Sequence, residues 1–152
     1  MKSISYESFD LALSLFADSR QLPHATQERI GIEEEEVKYF YSLARRARDY
    51  ADEVGNVSRV LVCITKASAA DILTRREEIW ETTSEHKEEP AAATLGVQIP
   101  ASLAPKIYDL LYSTVIYHRW PELWYTTGAY PDEISRAFLE IFGKEEPTFL
   151  EL

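Results

Sequence analysis

The sequence predicts a mainly α fold, a compact multi-helix domain with a helical hairpin around Gly55-Asn56. Three observations carry that expectation. From Ile32 to Val54 the apolar positions Val37, Phe40, Tyr41, Ala44, Ala47 and Ala51 recur at the helical period. Gly55 followed by Asn56 reads as a helix stop and then an N-cap. Neither glycine nor proline occurs between Val57 and Glu89, where Val57, Val60, Leu61, Ile64, Ser68, Ile72 and Ile79 return at roughly helical spacing. The alternative is an α+β fold with a short sheet from residues 58–65 and 94–99. The first of these is rich in β-branched residues, and Ser68 with Asp71 would open a separate helix after it.

The remaining elements follow from the same rules. Dense apolar residues from Tyr6 to Asp18 (Phe9, Leu11, Leu13, Leu15 and Phe16) suit a first helix, and Pro23 opens a short second one ending at Ile30. In the long third helix, Glu33 to Glu36 occupy the first turn, where the positive end of the helix dipole stabilises carboxylates. A helix is expected to run through Arg75 to Glu81 and to dissolve before Pro90. Leu95, Val97 and Ile99 then alternate with smaller or polar residues. Ser102 caps a helix whose face is Leu103, Ile107, Leu110, Leu111, Val115 and His118, and a final helix runs from Pro131 to a stop at Gly143.

A length of 152 residues with 45% hydrophobic content places the chain as one globular domain, residues 1–152. Its 16 Lys and Arg against 26 Asp and Glu leave a net charge of -10. That field repels phosphate backbones and anionic lipid, so nucleic acid and membrane are unexpected partners and a protein with a basic surface is the expected one. A homo-oligomer is compatible with the same composition. No segment reaches the apolar length of a membrane span, and no export signal opens the chain, so a cytoplasmic location is expected. The lone Cys63, within Val60-Leu61-Val62-Cys63-Ile64, is expected to be buried and inert.

Residues 22–50, and in them Ile30-Gly31-Ile32 through Val37 to Arg45-Arg46-Ala47-Arg48, resemble a helix-turn-helix of the sigma-factor or response-regulator type. The resemblance implies a transcription regulator whose recognition helix would present Lys38, Ser42, Arg45 and Arg46 to DNA. Separately, Glu33-x-x-Glu36 followed by Asp49-x-x-Asp52 resembles the paired acidic motifs of all-helical nucleotide pyrophosphohydrolases, which implies magnesium held between helices. Glu33 and Asp52 would stand roughly 28 Å apart on one helix at 1.5 Å per residue, so such a site needs Glu78 and Glu81 from the following helix.

No other constellation demands a chemistry. His24, His86 and His118 lack ligand spacing, no phosphate-binding glycine motif occurs, and neither a metal, a cofactor nor a catalytic residue is assigned. The most unusual feature is the aromatic run Tyr108, Tyr112, Tyr117, His118, Trp120, Trp124, Tyr125 and Tyr130. Tyr and Trp combine large apolar area with a polar tip and dominate binding hot spots. The expectation is therefore a small acidic binding or regulatory protein of inhibitor, immunity or adaptor type. Its interface would comprise Trp120, Trp124 and Tyr125 with Glu77, Glu78, Glu81 and Glu85.

Overall fold

The computed structural model describes residues 2–77, 79–82, 93–118 and 127–143. The chain is mainly helical with a short sheet. It separates into two compact units, one of residues 1–6 and 33–104, the other of residues 7–32 and 105–152.

The first unit is built on a four-stranded sheet of β1 (Lys2–Ser5), β2 (Val57–Thr65), β3 (Ile79–Thr82) and β4 (Ala93–Pro100), in the spatial order β1-β2-β4-β3. The pair expected from residues 58–65 and 94–99 is present: β2 lies parallel to β4, whereas β1 and β3 add antiparallel strands on the two outer sides. Parallel strands need a long crossover, supplied here by α4 (Ala69–Arg75) and β3. The register aligns Ile4, Val60 and Leu95 in one row and Val62 with Val97 in the next. Ile4, Val60, Leu95, Val97 and Ile99 are buried, so this face carries the core. On the other face Arg59 is exposed and Leu61 and Cys63 are half-buried. Cys63 is thus more accessible than its apolar neighbours led one to expect.

α3 (Glu34–Val54) packs against β3, β4 and α4. Its buried residues Glu36, Phe40, Leu43 and Ala47 are spaced three or four apart, and Tyr39 lies beside them, which gives one core-facing stripe. The glutamate run has a local structural role. The Glu33 N–H donates to Glu36 Oε1 at 3.0 Å, which satisfies an amide that the first turn leaves unpaired.

Three local expectations are corrected. Residues 57–65 form a strand rather than a helix, because β1 and β4 satisfy the backbone groups that an isolated strand would leave orphaned. Consequently Gly55, in the left-handed region at φ 76°, turns the chain from a helix into a strand, and no helical hairpin forms there. The helix expected through Glu81 stops at Arg75. Ser68 Oγ accepts from the Asp71 N–H at 3.1 Å at its start, Arg76 adopts a left-handed φ of 56° at its end, and β3 follows.

The second unit contains α1 (Tyr6–Asp18), a 3-10 turn (Ser19–Gln21), α2 (His24–Ile30), α5 (Ala104–His118) and α6 (Pro131–Phe142). Phe9, Leu13, Leu15 and Phe16 of α1, Leu110, Leu111 and Val115 of α5, and Ile134, Ala137 and Phe138 of α6 are buried. Polar contacts also join these helices. Ser8 Oγ donates to Glu140 Oε2 at 2.7 Å, tying α1 to α6. The ring Nε2 of buried His118 lies 3.3 Å from the Asp18 carbonyl oxygen, which joins the ends of α1 and α5.

Two stability outcomes follow. Glu36→Ala removes the capping acceptor and lowers stability by about 1 kcal/mol, whereas Glu36→Gln retains an acceptor and loses less; urea unfolding of the three proteins checks this. Arg76→Gly relieves a left-handed conformation that glycine adopts freely and raises stability by roughly 0.5–1 kcal/mol. Arg76→Ala leaves the conformation strained, so an equal gain from alanine would contradict this account.

Candidate interaction surface

The aromatic run divides into packed and exposed members. Tyr108 stacks on Tyr112 with ring centroids 5.8 Å apart and meets Phe138 and Phe142 of α6 edge-on at 6.1 and 4.9 Å. These rings therefore serve the core between α5 and α6. Their edge-to-face arrangement aligns the positive ring edge with the negative ring face. His118 is also committed internally, through its contact with Asp18. Tyr117 and Tyr130, in contrast, are 50% and 52% exposed.

Those two tyrosines bound the segment that holds Trp120, Trp124 and Tyr125, which lie outside the described residues, as do Glu78 and Glu85. Tyr117 stands in the last turn of α5. Tyr130 is the N-cap of α6, where its own N–H donates to Glu133 Oε1 at 3.1 Å. Ile116 and Leu139 of the same unit are also exposed, at 37% and 44%. Asp109, Asp132 and Glu133 are exposed on these helices. The unit's described residues carry four Lys and Arg against eight Asp and Glu. Exposed aromatic and aliphatic groups on an acidic background resemble the anchor-and-rim composition of binding surfaces.

The acidic residues assigned to the interface from the sequence fall in the other unit. Glu77 is exposed and its Oε2 lies 3.6 Å from Arg75 Nη1. Glu81 stands in β3 opposite Leu95, at an edge of the sheet. The sequence pattern places both on a helix with Arg75, but α4 ends at Arg75, so Glu77 lies just beyond the helix and Glu81 stands in a strand.

Of the side chains assigned to DNA, Lys38 Nζ pairs with Glu34 Oε1 at 3.4 Å, and Ser42 is half-buried. Arg45 is exposed, and Arg46 Nη1 reaches across to donate to the Arg76 carbonyl at 3.4 Å. Gln27, before the Gly31 turn, donates to the Leu22 and Arg20 carbonyls at 2.8 and 3.3 Å. For the magnesium reading, Glu36 is buried at the start of α3, while Asp49 and Asp52 are exposed further along the same helix. Among the described residues no group of three or more His, Cys, Asp or Glu side chains is arranged to hold a metal ion.

Two features of the chain are not legible in its sequence. The exposure of Ile116 and Leu139 depends on how each helix is rotated against its neighbours, and apolar identity gave no signal of it. The meeting of Arg46 with Arg76 required α4 to end where the sequence pattern continued. A sharper signal was available at Ser68-x-x-Asp71, which marked a fresh helix. No family model, no curated protein and no solved structure matches the chain.

Proposed function

We propose that the chain is a cytoplasmic binding protein of regulatory, inhibitor or adaptor type. Its second unit would engage a protein partner through exposed aromatic side chains, Tyr117 at the end of α5 and Tyr130 at the start of α6. The observation that supports this reading is the exposure of Tyr117 and Tyr130 at the two ends of the Trp-rich segment. A half-exposed tyrosine loses apolar hydration on binding while its hydroxyl stays paired with solvent or partner, which makes it a low-cost anchor. The excess of carboxylates among this unit's described residues favours a partner with a basic surface, because complementary fields speed encounter. Among the described residues, no helix is long and apolar enough to cross a membrane.

The test compares capture of host proteins by the wild-type chain and by a Tyr117→Ala, Tyr130→Ser variant. Serine keeps an N-cap residue at the start of α6, so the variant retains its fold. Each anchor is expected to contribute roughly 1–2 kcal/mol, so the captured protein binds the variant at least tenfold more weakly, and raising salt weakens the wild-type complex. Equal affinity of the two proteins, with matched melting curves, would overturn the assignment of this surface.

A further inference from the structure

We draw no further inference here: the strongest candidate, the sheet face opposite the core where Leu61 and Cys63 of β2 stand half-buried beside exposed Arg59, carries nothing because nothing in the structure shows what covers it.

Discussion

The parallel pairing of β2 with β4 is the constraint on which the first unit depends. A strand at residues 57–65 has N–H and C=O groups on both sides, and burying one face of it is tolerable only when both sets are paired. β4 takes one side and β1 the other, while β3 extends the sheet beyond β4. Once the register places Val60 against Leu95 and Val62 against Val97, the apolar side of each strand points the same way, and α3 packs against β3 and β4. The crossover required by two parallel strands also dictates that the chain must leave β2, form α4 and return. The ending of α4 at Arg76, and so its meeting with Arg46, is a consequence of that route.

The glutamates at the head of α3 show how local charge can be misread as function. Four consecutive carboxylates invite thoughts of metal or of a basic partner, yet Glu36 is buried and caps the helix, and Glu34 pairs with Lys38. Helix-dipole and capping energetics account for their position. Among the described residues the excess of negative charge is larger in the second unit, and there it coincides with exposed tyrosines.

The sequence by itself determined the helices whose pattern and caps agree. Residues 6–18, the long helix ending at Val54 and the segment from Pro131 to Gly143 are legible because apolar period, glycine stops and proline starts all report one answer there. It also marked Ser68-x-x-Asp71 as a helix start and offered 94–99 as the partner of 58–65. Tertiary structure alone decided that residues 57–65 are extended, because a β-branched run of mixed period is settled by whether neighbouring strands exist to pair with it. It likewise decided which tyrosines face solvent and that Arg46 and Arg76 meet. Exposure and contact between distant residues depend on helix rotation and strand register, which no local run of amino acids encodes.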